Sequence, residues 1–442
     1  MSFSSHFISP NEKHRKSLEI SWKEGIPASF MQAIVDYYIT PLGLLIGATP
    51  FQIGCMVSLP QLLGAVSQTL ATKMIQWLGS RLQFLVRATL IQALLFAPIA
   101  VLSLSLFPGR IYFLIFLMIF FQVFGNLINT VWSSLVSDYL KPEQRGRYFG
   151  WRSRIAGCAT LTGIITAGIV LYLYRHFSPS LGFLIVFLFA LAARLLSSRL
   201  MSKMDDLPIT QTAEHHFTFL MFLARFRKSN FVKFTIYVAG IIFCSYLASP
   251  YFSVFMLRDL RINYLSYMIV HLTLVISAII AYPIWGKHAD VIGNAKILKV
   301  TGSLIPLCPL LWVFSHDLWY LILIQIFGGF LWGGFNLCTV NFIYDSVSPG
   351  NRVRCLSYFN LINGTAIFCG AAIGGILAER LPPFMGYRLL TLFMLSGFLR
   401  YLANIFLSTG FNEIRGTKKK ISSIELFFSV IGIKPLTEHP QE

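Results

Sequence analysis

Twelve runs of about twenty apolar residues, parted by short polar turns, constrain this chain more than any other feature. A helix rises about 1.5 Å per residue, so about twenty residues cross the roughly 30 Å of bilayer hydrocarbon. In lipid every backbone N–H and C=O must be satisfied within the protein, which leaves only helices or closed barrels. A barrel would show alternating segments of about ten residues, and these runs do not alternate. Composition points the same way. Of 442 residues, 55% are hydrophobic and 12% are charged, with a mean hydropathy of +0.67. A soluble domain carries about twice that charge. The expected spans lie near 26–47, 52–77, 83–106, 111–137, 150–173, 181–201, 231–256, 264–284, 296–314, 318–344, 355–378 and 386–408. Pro306 and Pro309 interrupt the ninth.

The formal net charge of +18 reads as topology, not as a nucleic-acid site, because the charges sit in short loops between apolar runs. With the N-terminus inside, 29 of the 36 Lys and Arg residues fall on inner segments and six on outer ones. Such an imbalance puts both termini in the cytoplasm and supports an even number of spans. The residues before Ser21 are polar and basic with no apolar stretch, so no cleavable signal is expected. The seven cysteines are dispersed among apolar runs and suggest neither disulfides nor a zinc site. Five segments result: a cytoplasmic segment 1–21, a first bundle 22–201, a linker 202–230, a second bundle 231–409 and a cytoplasmic tail 410–442. Within the linker, the apolar and basic stretch from Phe217 to Lys228 suggests a helix lying on the inner leaflet. Lys418, Lys419 and Lys420 suit anionic lipid.

The two bundles repeat. Asp138, Pro142, Arg145 and Arg147 return as Asp345, Pro349, Arg352 and Arg354, each 207 residues on. The same offset carries Asn129 to Asn336, Gly157 to Gly364, Gly163 to Gly370 and Gly168 to Gly375. Many transporters are built from such repeats, with the substrate held where the repeats meet. Carboxylate and guanidinium groups at helix ends can hold one conformational state and release another, so Asp138, Arg145, Arg147, Asp345, Arg352 and Arg354 are read as gates. After the eighth span come Gly286, Asp290, Gly293 and Lys296. This spacing, together with the Asp-Pro-Arg element after spans four and ten, resembles the signature of the major facilitator superfamily. The first copy of the turn departs from it at Thr72 and Gln76, and Val291 stands where the family has Arg. The fifth span lacks the Gly-Pro step of drug exporters. The resemblance implies an all-α polytopic membrane protein with twelve transmembrane helices in two pseudo-symmetric six-helix bundles.

Polar groups inside spans are costly and therefore mark function. Asp36 is the foremost candidate, with Gln32 one turn back and Tyr38 beside it. Asn126, Asn129, Gln325, Asn336, Asn341, Asn360 and Asn363 are either substrate ligands or links between helices. His271 is a candidate proton carrier or a packing residue. Arg194 and Arg400, at matching points of spans six and twelve, are expected to snorkel to the inner interface. Tyr246 and Ser249, beside Pro250, mark an expected break in span seven.

No phosphate loop, metal spacing or nucleophile–base set is present, so neither a cofactor nor an enzyme activity is expected. The reading is a monomeric transporter of a small solute in the cytoplasmic (inner) membrane, coupled to an ion gradient, with the lipid bilayer and the substrate as its partners. The alternative is a transporter-like receptor or membrane enzyme. Reporter fusions at Phe7 and Thr437 should both read cytoplasmic, and an external reading at either one overturns the topology.

Overall fold

A computed structural model describes residues 12–68, 79–140, 142–207, 229–347 and 352–414, with Glu425, Leu426 and Ser429. In chain order the helices are α1 (Glu12–Leu45), α2 (Pro50–Ser67), α3 (Arg81–Leu94), α4 (Phe96–Leu102), α5 (Arg110–Asp138), α6 (Pro142–Tyr174) and α7 (Pro179–Met201). Then follow α8 (Asn230–Tyr246), α9 (Ser249–Val254) with a π turn (Phe255–Asp259), α10 (Tyr264–Ile292), α11 (Asn294–Leu304), α12 (Leu307–Leu311), α13 (Leu318–Ser346), α14 (Arg352–Arg380) and α15 (Arg388–Leu407). Among the described residues, nine helices are long and apolar enough to cross a membrane. The remaining expected spans fall on α1, α2 and the broken pair α11–α12, so the arrangement is compatible with twelve. The chain is helical from Glu12, well before the first apolar run. Hydropathy marks only the part of a helix that suits lipid, and the Glu, Lys and Leu residues before it favour helix equally.

Local chemistry sets the helix starts. Thr49 accepts from the Gln52 amide at 3.3 Å, while the Gln52 side chain accepts from the Thr49 amide at 2.9 Å, closing a capping box on α2. Ser80, Ser178 and Ser229 cap α3, α7 and α8. Gly79 before α3 and Gly293 before α11 have φ of +71° and +89°, a region that L side chains avoid. The two matching turns thus require glycine for one steric reason. Span seven breaks between Tyr246 and Ser249, as its sequence suggests.

By contact density the chain divides into two units. One comprises Met1–His215, Pro250–Leu272 and Ile367–Glu379, and the other His216–Ser249, Thr273–Ala366 and Arg380–Glu442. In the first, α1 lies against α6 and α7, and α2 against α5. Gly163 makes the α1–α6 approach possible, since a Cβ there would fall 2.7 Å from the Phe30 carbonyl oxygen. In the second, α8 pairs with α15 and α11 with α13. Phe234 and Phe342 pack with ring centroids 4.4 Å apart, and Leu426 of the tail is fully buried in the same cluster.

The two arginines expected at the interface are instead buried inside their units. Arg194 is 5% exposed. Its Nε donates to Gln92 Oε1 at 2.7 Å, its Nη1 donates to Ser197 at 3.0 Å, and Glu24 lies 3.8 Å away. Glu24 also accepts from Ser197 at 2.7 Å and pairs with Arg152 at 3.5 Å. Arg152 in turn stacks 4.0 Å over Trp132. Arg400 is 2% exposed, and its partners are neutral oxygens, the Ser396 hydroxyl at 3.2 Å and the Ser245 carbonyl at 3.3 Å. Ser245 lies in the last turn of α8, where carbonyls lack helical partners and the helix dipole is negative. Both cations find their acceptors within the protein, which removes the reason to reach for the interface.

Removing one partner of a buried ion pair costs about 3–5 kcal/mol. Glu24→Gln should therefore lower the thermal unfolding midpoint in detergent markedly, and adding Arg194→Gln should recover part of the loss. A double variant no more stable than Glu24→Gln alone would show that the pair is not coupled.

Candidate transport site

From Glu24 onwards helix α1 is largely enclosed by protein, and its most accessible positions form one stripe. Ile26 and Asp36 are exposed and Ser29 and Gln32 partly so, at spacings of three and four that share a helical face. Asp36 Oδ1 accepts from Gln32 Nε2 at 2.7 Å, which fixes the carboxylate along the stripe and leaves its other oxygen unclaimed by that amide. Tyr38 points the other way, buried, with its hydroxyl donating to the Ile164 carbonyl of α6 at 2.7 Å. Tyr37 turns its ring to His271 of α10, with centroids 5.0 Å apart.

The amides divide by exposure. Asn129 on α5 and Asn336 on α13, equivalent in the repeat, are both exposed, as is Asn360 on α14. Asn126 is half-buried against Gly64 of α2, and near it Gln122 donates to Gln61 at 3.3 Å. Gln325 and Asn341 are half-buried. Asn363 is buried, with its Nδ2 spent on the Phe359 carbonyl at 2.8 Å. Asn360 and Asn363 therefore do not share an environment, although they are three residues apart.

At the basic ends of the helices, each unit carries a carboxylate lock. Asp138 pairs with Arg81 at 2.7 Å, and Ser134 supports the guanidinium at 3.1 Å. Asp345 accepts from Asn294 at 2.9 Å. Arg81 and Asn294 open the helices that follow the two positive-φ glycines, so in each unit the first residue of such a helix donates to the carboxylate. Arg145 donates to the Ser137 carbonyl at 3.1 Å, closing the end of α5, and Arg147 is exposed. The side chains of Arg352 and Arg354 lie outside the described residues, as do Thr72, Gln76 and the stretch from Phe217 to Lys228. Gly286 packs near Leu337, and Asp290 is exposed.

A second pair of carboxylates escaped the sequence reading. Asp206, after α7, accepts from Ser80 at 2.5 Å and from the Leu82 amide at 3.2 Å. Glu413, after α15, accepts from the Ala295 amide at 2.7 Å. Each places negative charge on a helix N-terminus, where the dipole favours it. Asp206 and Glu413 are also 207 residues apart, so the repeat offset was the signal that could have found them. Asp205 accepts from Ser17 at 2.9 Å, and its carbonyl accepts from the Tyr139 hydroxyl. Burial pushes the Tyr139 phenol well above its ordinary range, which keeps it a donor.

Away from these groups, a groove of about 670 Å³ between α12 and α15 is walled by Leu307, Leu310, Phe384, Met394 and Phe398 and contains none of the candidate polar residues. Among the described residues no cluster of His, Cys, Asp or Glu could hold a metal ion.

Comparison with known proteins fits this architecture. The chain is 15% identical to the nucleoside transporter NupG over 89% of its length and all of that structure, with a TM-score of 0.69. A bacterial homologue of the iron transporter ferroportin, in an inward-facing state, is 13% identical, with 89% and 99% coverage and a TM-score of 0.65. A D-xylose–proton symporter gives 13% identity, 91% and 97% coverage and a TM-score of 0.64. At these identities the likeness is one of fold. A Schizosaccharomyces pombe protein described as an uncharacterized transporter is 33% identical over 99 residues, which is 22% of this chain and 17% of that relative. The family model for the Major Facilitator Superfamily matches residues 25–304 and 234–437. With matches across both halves, the chain belongs to the Major Facilitator Superfamily and is a membrane transporter, not an enzyme.

Proposed function

We propose that this transporter moves a small solute by alternating access, with a proton as the coupling ion and Asp36 as the group that carries it. The supporting observation is the setting of Asp36: an exposed carboxylate in the middle of an otherwise enclosed stretch of helix, steadied by Gln32. A carboxylate reachable from water in one state and enclosed in another differs in proton affinity between the two. Proton and solute then bias the same two-state equilibrium, which is all that coupling requires. The exposed amides Asn129, Asn336 and Asn360 suit a solute bearing hydrogen-bonding groups. Both termini lie in the cytoplasm and the membrane is the inner one in this reading, and the chain acts as a monomer.

The locks at Asp138 and Asp345 are the gates. Each ties one helix end to the start of another within its own unit, and the repeat makes them equivalent. Breaking one while keeping the other should bias one conformational state.

In proteoliposomes the wild type should accumulate solute under a pH gradient, which separates a transporter from a receptor. Asp36→Asn should abolish that accumulation and leave solute exchange intact. Accumulation at the wild-type level would make Asp36 structural. Asp138→Asn and Asp345→Asn should each shift the balance of states by about 1–3 kcal/mol, read from the labelling rate of a cysteine placed at Asn129. Unchanged labelling in both variants counts against the gate.

A further inference from the structure

His271 of α10 is held edge-on between two aromatic rings, Tyr37 of α1 at 5.0 Å and Tyr267 of its own helix at 4.4 Å. Tyr267 reinforces the seal, because its hydroxyl donates to the Tyr37 carbonyl at 2.8 Å and shares a hydrogen bond with Ser253 of α9 at 3.0 Å. Tyr38 packs against the same ring of Tyr267, with centroids 6.0 Å apart. Both imidazole nitrogens of His271 are buried and have no hydrogen-bond partner. That is unusual, since neutral imidazole carries one donor and one acceptor and native interiors satisfy nearly all such groups.

We propose that His271 is a proton-binding site, distinct from Asp36, that the Tyr37–Tyr267 contact keeps closed. The inference rests on the transport reading only for its purpose, since the site itself is defined by geometry. An imidazolium would present two N–H donors and a full charge, and in the closed arrangement neither ring nitrogen has a hydrogen-bond partner. Around it, α1 offers Tyr37, Tyr38 and the neighbouring Asp36, and α10 offers Tyr264 and Tyr267. From the α9 side the polar group is the Ser253 hydroxyl, beyond which Arg258 and Asp259 pair with each other at 2.7 Å. Tyr267 is already committed as a donor to the Tyr37 carbonyl. The closed contact therefore disfavours the protonated ring, whose N–H groups it leaves buried without acceptors. The ring takes a proton more readily when α1 and α10 part there, and by linkage acid favours the parted state.

The test reads the ring directly and needs no transport. The full-length protein, with its nine histidines labelled with ¹³C and ¹⁵N, is placed in lipid nanodiscs and titrated from pH 8 to pH 4 by NMR. His271→Gln, or His271→Asn if that variant fails to fold, identifies the resonance. The expected result is a neutral ring at pH 8 that gives way to the protonated form in slow exchange. In Tyr37→Ala the same titration should occur at higher pH and in faster exchange, because the seal is gone. A resonance that stays neutral over the whole range, or a titration that Tyr37→Ala leaves unchanged, overturns the proposal. Either result is independent of whether Asp36→Asn abolishes accumulation.

Discussion

A guanidinium placed among packed helices has to find its acceptors there, and much of this structure is arranged around two of them. Arg194 draws Glu24, Gln92 and Ser197 together, which ties α7 to α1 and α3. Arg152 joins through the second oxygen of Glu24 and brings α6 with it. Arg400 ties α15 to the end of α8. A buried ion pair contributes little net stability once desolvation is counted, but breaking one is expensive. The value of these groups lies in specifying which helices must be neighbours. Apolar surfaces alone do that poorly in lipid, where every hydrophobic face is already satisfied.

The helix ends obey a related rule. Each turn into α3 and α11 uses a glycine with positive φ, and the helix that follows receives a carboxylate from a distant part of the chain, Asp206 or Glu413. In each unit, then, the segment after the last helix closes back on the third. The linker residues Asp205 and Asp206 are accordingly part of the first unit's structure and not a mere connection.

Much of the architecture was legible because lipid imposes it. Run length predicted spans, and one offset disclosed the repeat. The breaks at Pro306 and near Pro250 followed from proline chemistry. What stayed hidden was pairing. Arg81 looked like one more topology charge, and only the fold shows that its partner is Asp138. Arg194 and Arg400 looked like snorkelling side chains because their acceptors, Glu24 and the Ser245 carbonyl, are 170 and 155 residues distant and one of them is backbone. Tyr38 and Tyr37 could not be told apart in the sequence, since helical phase decides which one meets α6 and which meets His271.

The two buried arginines also differ in a way that matters over evolutionary time. Glu24 is a side chain, and a single nucleotide change can delete its carboxylate. The carbonyl of Ser245 belongs to the main chain, and no substitution that preserves the helix removes it. Arg400 thus keeps one acceptor whatever side chain stands at position 245, while Arg194 loses its anion if Glu24 is replaced. Both halves bury a cation, but one holds it chiefly through side chains and the other partly through the main chain.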